Sequence, residues 1–196
     1  DDYLFAAGQL FQGGSTSNVQ NGTATLAGGF GDDNLNVSEY TTSSLDGGDG
    51  NDRLAVNGYF SGSYFSTNYS SSSYQTFGTQ PLTTVLTGGA GDDWLGAAFV
   101  SQANLSGGDG VDSLTVSNVR SATLVGGAGI DTLTVNSYQS SQNTDGDARL
   151  NKTYSLDGGD DNDILNVSSN NYIGSGQTSV ALLGGLGNDR LSVTDS

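Results

Sequence analysis

The sequence predicts an all-β fold, a parallel β-solenoid of stacked ~19-residue coils interrupted by loop insertions. Three observations predict it. The phrase Gly-Gly-x-Gly-x-Asp-x-Leu recurs seven times, once with Asp161 in place of its third glycine. The copies share one base spacing, that from Gly28 to Gly47. Nearly every copy runs into a short stretch in which apolar and polar residues alternate. Self-similarity at a fixed period marks a chain built from one repeated unit, and alternation marks a strand with one buried face.

The copies begin at Gly28, Gly47, Gly88, Gly107, Gly126, Gly158 and Gly184, and Asp2 and Leu4 close a truncated eighth. The interval from Gly28 to Gly47 recurs from Gly88 to Gly107 and from Gly107 to Gly126. The intervals that end at Gly88, Gly158 and Gly184 are longer, so three coils carry extra chain. Residues 1–196 therefore read as one solenoid domain, with insertions at approximately 7–22, 57–83, 136–153 and 168–180. The first strand of a coil follows the turn, as in Leu35-Asn36-Val37, Leu114-Thr115-Val116 and Leu133-Thr134-Val135. A second strand returns to the next turn through Leu26, Leu45, Leu86, Leu105, Leu124, Leu156 and Leu182. Two residues before each of these leucines stand Ala24, Ser43, Thr84, Ala103, Ala122, Tyr154 and Val180, on the same face by the period of two. Glycine-rich turns then lie along one edge, and plain turns such as 38–42 and 117–121 along the other. One coil cannot cover its own apolar face, so stability must come from its neighbours.

Bulk composition points elsewhere. With 31 glycines, one proline and 34% apolar residues, the chain resembles a flexible acidic segment, and only the repeat overrides that reading. Five basic residues against 21 acids give a net charge of −16, which argues against nucleic acid and anionic membrane surfaces and suits a multivalent cation. Cysteine and histidine are absent, which removes disulfides, thiol metal sites and the commonest general base. No apolar run has membrane-spanning length, so no membrane insertion is expected. No signal peptide is visible, and Asp1 falls inside a truncated copy, so we expect the chain to be part of a longer protein.

The turn has the chemistry of a calcium site. Glycines reach backbone conformations that let several carbonyl oxygens face one point. Calcium takes six to eight oxygens, from carboxylates and carbonyls alike, whereas magnesium demands an octahedron and keeps its waters. One Asp per turn is too few, so each ion is expected between two adjacent coils. Eight turns leave seven gaps for up to about seven ions, whose charge would nearly balance that of the chain.

The phrase resembles the glycine-rich nonapeptide repeat of the RTX proteins, the secreted calcium-binding β-roll family. The resemblance covers the repeat units and not the insertions. It implies a right-handed roll with side-chain ligands at Asp2, Asp33, Asp52, Asp93, Asp112, Asp131, Asp163 and Asp189. It also implies carbonyl ligands in the turn backbone, at Gly29, Gly31, Gly48, Gly50, Gly89, Gly91, Gly108, Gly110, Gly127, Gly129, Gly159, Gly185 and Gly187. The remaining turn acids, Asp32, Asp46, Asp49, Asp92, Asp109, Asp157 and Asp160, read as solvated surface charge. This chain departs from the family twice. Its motif turns alternate with plain ones, so one row of calcium is expected rather than two, and Asp161 breaks the glycine pattern of its turn.

The resemblance implies a non-catalytic, calcium-stabilised structural segment of a secreted bacterial surface protein: a surface layer, adhesin or extracellular filament. Such a segment would sit outside the cell or on its surface, exported by a type I route. It would be loose without calcium and set with it, at the roughly 10⁻⁴–10⁻³ M affinities of extracellular modules. Self-association, end to end or lateral, is the expected partnership. The insertion at 57–83 offers Tyr59, Phe60, Tyr64, Phe65, Tyr69 and Tyr74 as contacts for another subunit, a glycan or a cell surface. A second expectation is a calcium-dependent folding and secretion module of a larger RTX protease, lipase or toxin. Ice binding is a minor third, weakened by the irregular outward row Asn36, Ala55, Gly96, Thr115, Thr134, Asn166 and Ser192. No nucleophile–histidine pair or metalloprotease motif is present, and no enzymatic activity is expected.

Overall fold

A computed structural model describes residues 2–7, 20–38, 40–58, 83–137, 151–169 and 176–195. These form fifteen strands, numbered in chain order, with no helix among the described residues. One parallel sheet runs through β1 (Tyr3–Ala7), β3 (Asn34–Ser38), β5 (Arg53–Asn57), β7 (Trp94–Ala98), β9 (Ser113–Ser117), β11 (Thr132–Ser137), β13 (Ile164–Ser169) and β15 (Arg190–Asp195) in that order. The other runs through β2 (Gln20–Phe30), β4 (Tyr40–Asp49), β6 (Thr83–Ala90), β8 (Gln102–Asp109), β10 (Ser121–Ala128), β12 (Lys152–Asp160) and β14 (Thr178–Gly185). The chain alternates between the sheets at every step, so each coil contributes one strand to each and the fold is a parallel β-solenoid.

Register follows the repeat. Leu35 pairs with Leu54, Leu54 with Leu95, and Leu95 with Leu114, while Leu45, Leu86, Leu105 and Leu124 align likewise in the second sheet. A one-residue slip would turn each row outward, which is why the alternation fixes the stack. The leucines of interior coils are buried, together with Val37, Val56, Val116, Val135 and Val167. Each such side chain contributes about 1.5–3 kcal/mol over its exposed state. In the last coil Leu191 and Val193 occupy the same register positions but are 45% and 53% exposed, since no described strand covers β15.

The two edges of the roll differ. Every motif turn joins an even-numbered strand to the odd one after it, so all seven lie along one edge. The long connections, from β1 to β2, β5 to β6, β11 to β12 and β13 to β14, leave from the opposite edge. There the short turns after β7 and β9 place Phe99 and Asn118 at φ of 58° and 54°, and the valine after each, Val100 and Val119, closes the end of the core. Across the outward positions from Asn34 to Thr194, the eight-stranded sheet carries Arg53 and Arg190 and no carboxylate.

Candidate metal centre

The motif aspartates form a single file inside the turn edge. Asp33, Asp52, Asp93, Asp112, Asp131 and Asp163 are all buried. Each turn ends where the next strand begins, and the constant register stacks each Asp on its counterpart. The Oδ1 of each accepts the backbone N–H of the motif Asp one coil earlier. Asp2 donates to Asp33, Asp33 to Asp52, Asp52 to Asp93, Asp93 to Asp112, Asp112 to Asp131, Asp131 to Asp163 and Asp163 to Asp189, at 2.5–3.1 Å. All eight aspartates expected as ligands therefore belong to one ladder.

The second oxygen is different. Oδ2 of Asp52, Asp93, Asp112, Asp131 and Asp163 is buried without a hydrogen-bond partner. It packs over the first glycine of its own turn, beside the first-glycine carbonyl of the next coil. A Cβ built on Gly47 would strike Asp52 Oδ2 and lie 2.6 Å from the Gly88 carbonyl oxygen; on Gly107 it would strike Asp112 Oδ2 and lie 2.7 Å from that of Gly126. Carboxylate and carbonyl from successive coils thus face one small volume. These first glycines, Gly28, Gly47, Gly88, Gly107, Gly126, Gly158 and Gly184, were not among the expected site residues. The signal in the sequence was their occurrence in all seven copies, and the structure places them outside the left-handed region, so conformational freedom does not account for them. The thirteen glycines expected as carbonyl donors all adopt positive φ, between 100° and 134°.

The electrostatics match the geometry. Burial raises the carboxyls of Asp52, Asp112 and Asp163 above the ordinary range and carries Asp93 and Asp131 to about 7. The backbone N–H on Oδ1 opposes the rise, and the charges of neighbouring aspartates add to it. A half-satisfied buried carboxylate is costly, and a divalent cation is the direct remedy. The residues fit calcium: hard oxygens only, with carboxylate and carbonyl in alternation along the stack. Among the described residues no three carboxylates converge on one point. A site between two coils would accordingly combine two carboxylates with backbone carbonyls and water.

A second ladder runs along the outside of the turns, one residue before the first. Asn51 N–H donates to Asp32 Oδ1, Asp92 N–H to Asn51 Oδ1, and Val111 N–H to Asp92 Oδ1, each at 2.8 Å; Asn188 N–H donates to Asn162 Oδ1 at 2.7 Å. Its direction is opposite, since here the side chain of the earlier coil accepts. Asp32 and Asp92 are thus not merely solvated charge, as expected from sequence. They are exposed, and each caps a backbone N–H of the next coil.

Other placements were not anticipated. At the edge away from the turns, buried Lys152 donates from Nζ to Ser137 Oγ at 2.7 Å. The buried Tyr154 hydroxyl donates to the Val119 carbonyl at 2.9 Å. On the outer face of the eight-stranded sheet the Arg53 guanidinium lies 3.9 Å from the centroid of the Trp94 ring, and Gly96 leaves the space that the indole fills. Tyr59, Phe60, Tyr64, Phe65, Tyr69 and Tyr74 fall outside the described residues. Comparison with family models, with curated proteins and with solved structures finds no match.

Proposed function

We propose that this chain is a calcium-stabilised structural segment of the RTX type, exported to the cell exterior, where ions between successive coils set it into a rigid, non-catalytic rod. The observation that carries the reading is the row of buried Oδ2 atoms without partners, each beside a backbone carbonyl of the next coil. A cation that binds the folded stack and not the unfolded chain converts its binding energy into folding energy. Without it, the buried carboxylates repel one another across a core only one coil thick.

Assembly is part of the proposal. The outer face of the eight-stranded sheet, acid-free from Asn34 to Thr194, is a surface a second copy could cover despite the acidic turn edge. The test is far-UV circular dichroism across a calcium titration, with electron microscopy of the same samples in millimolar calcium and in EDTA. Strand signal and ordered particles that appear only with calcium support the reading. Full strand signal in EDTA overturns the calcium dependence. Dispersed rods in calcium overturn assembly and favour a folding module serving another domain.

A further inference from the structure

Six of the seven motif turns place glycine at the third glycine position, and the turn of Asp163 places Asp161 there. Its φ is +77°, inside the left-handed region that a residue with a Cβ adopts at a cost, while Gly91, Gly110, Gly129 and Gly187 hold +124° to +132°. At this position the backbone lies against the turn of the coil before. A Cβ built on Gly110 points at the Gly91 carbonyl, and one on Gly129 at the Gly110 carbonyl. Either would collide with the backbone of the turn before, a clash that the lower φ of Asp161 avoids while keeping the residue at the same seam between two turns. For Asp161 that seam is the gap between the turns that carry Asp131 and Asp163.

Both flanking aspartates are almost completely buried; the unpartnered Oδ2 that faces this gap is that of Asp131, beside the Gly158 carbonyl, while Asp163 reaches it through Oδ1, which accepts the Asp131 N–H. The negative charge of Asp161 acts on the two of them, raising both carboxyls. Asp161 itself is exposed. In this structure the three groups do not converge, and mutual repulsion would hold Asp161 outward until a cation neutralised the pair.

We infer that Asp161 is a ligand added by this chain to one gap, making the space between the turns of Asp131 and Asp163 its tightest calcium site. The inference rests on the calcium reading above. Ligand charge count sets calcium affinity across oxygen sites, so a third carboxylate distinguishes this gap from those that have two. The left-handed backbone at Asp161 is then the local cost of a metal ligand.

The experiment is a calcium titration of the full chain against a chromophoric chelator, for the parent, Asp161→Gly and Asp161→Asn. The parent should show one site tighter than the rest. Asp161→Gly should weaken that site about tenfold and leave the others in place, with Asp161→Asn, which keeps one neutral oxygen, falling between. Metal-free Asp161→Gly should resist urea better than the parent, because strain and repulsion are both relieved; this shows that lost affinity is not lost folding. Calcium binding by the parent with equal affinities in Asp161→Gly overturns the role of Asp161 and leaves the calcium reading standing. No calcium binding by the parent overturns both.

Discussion

Alanine at three glycines of the same phrase should produce three different defects. A Cβ on Gly29 meets nothing within 4 Å, but the backbone there has φ of +111°. Gly29→Ala should therefore show only the left-handed backbone cost, about 1–2 kcal/mol. Gly107 lies outside the left-handed region, yet its Cβ would stand 2.7 Å from both Asp112 Cγ and the Gly126 carbonyl. Its cost is overpacking, about 1–3 kcal/mol, and the atom that must move is the carboxylate. Gly108 combines φ of +127° with a Cβ pressed on the Gly89 peptide, whose carbonyl carbon would be 2.9 Å away. Backbone atoms cannot swing aside, so the two costs add to roughly 2–5 kcal/mol, a large share of a stability of about 5–15 kcal/mol. Urea unfolding followed by circular dichroism at several calcium concentrations reads all three. Gly29→Ala and Gly108→Ala should shift the midpoint with the calcium dependence retained, and Gly107→Ala should in addition require more calcium to fold. The reasoning fails if Gly29→Ala costs as much as Gly108→Ala, or if Gly107→Ala leaves the calcium requirement unchanged.

Two further outcomes follow from the buried carboxylates. Asp93 and Asp131 sit at about 7 in the metal-free fold, against 3.8 for the free group, because burial disfavours their charge. The folded state then holds more protons than the unfolded one, so metal-free stability should be complete below about pH 4 and be lost as the pH rises through about 7. A urea midpoint in EDTA that climbs from pH 4 to pH 8 contradicts this; calcium should flatten the profile by taking the place of the protons. Asp112→Asn keeps the acceptor for the Asp93 N–H and puts an amide beside the Gly126 carbonyl. At pH 7.5 it should raise metal-free stability by about 1–2 kcal/mol, while calorimetry should show fewer calcium ions bound.

The stack was legible because one signal repeats at every level. The shared spacing of the copies, the alternation and the constant leucine register all describe the same coil, so the strands fall where Leu35, Leu114 and Leu124 place them. The aspartate file was legible for the same reason. The opposite edge repeats poorly, and its closing side chains escaped notice. Val100 and Val119 sit in turns whose left-handed residues are Phe99 and Asn118, neither of them the glycine that would mark such a bend. Lys152 reads as surface charge in any sequence, and here it is buried with its ammonium donating to Ser137. Tyr154 falls in a row of small residues, and its hydroxyl reaches a carbonyl that no local pattern predicts. The outer ladder was hidden because Asp32, Asn51 and Asp92 make their bonds to the next coil, far along the chain from themselves.

The two ladders act as a control on each other. Both spend a side-chain oxygen on a backbone N–H of a neighbouring coil, with nearly the same length. The outer position, exposed, is filled by Asp32, Asn51, Asp92, Val111, Ile130, Asn162 and Asn188: Asp and Asn accept the bond alike, so it requires no charge, and Val111 and Ile130, which have no acceptor, show that the stack does without it in places. The inner position is Asp in all eight copies. Asparagine there would accept the same N–H, turn its amide to the adjacent glycine carbonyl and bury no charge. A position selected for hydrogen bonding alone would drift toward it, since an ionised carboxylate is the most expensive way to hold one acceptor in a core. What the inner position holds and asparagine lacks is the negative charge, and a buried negative charge needs a positive partner. Histidine is absent from the chain, and its few basic side chains do not follow the repeat. On the proposed reading, a cation taken from solution is the partner that recurs in every gap, in place of the protons that the raised carboxyls of Asp93 and Asp131 would otherwise hold. Each carboxylate also touches the coil before it through Oδ1 and lies beside the glycine carbonyl of the coil after it, so an ion bound in one gap would orient the ligands of the next. Binding should then spread from neighbour to neighbour along the stack, as expected when each repeat contacts only those beside it.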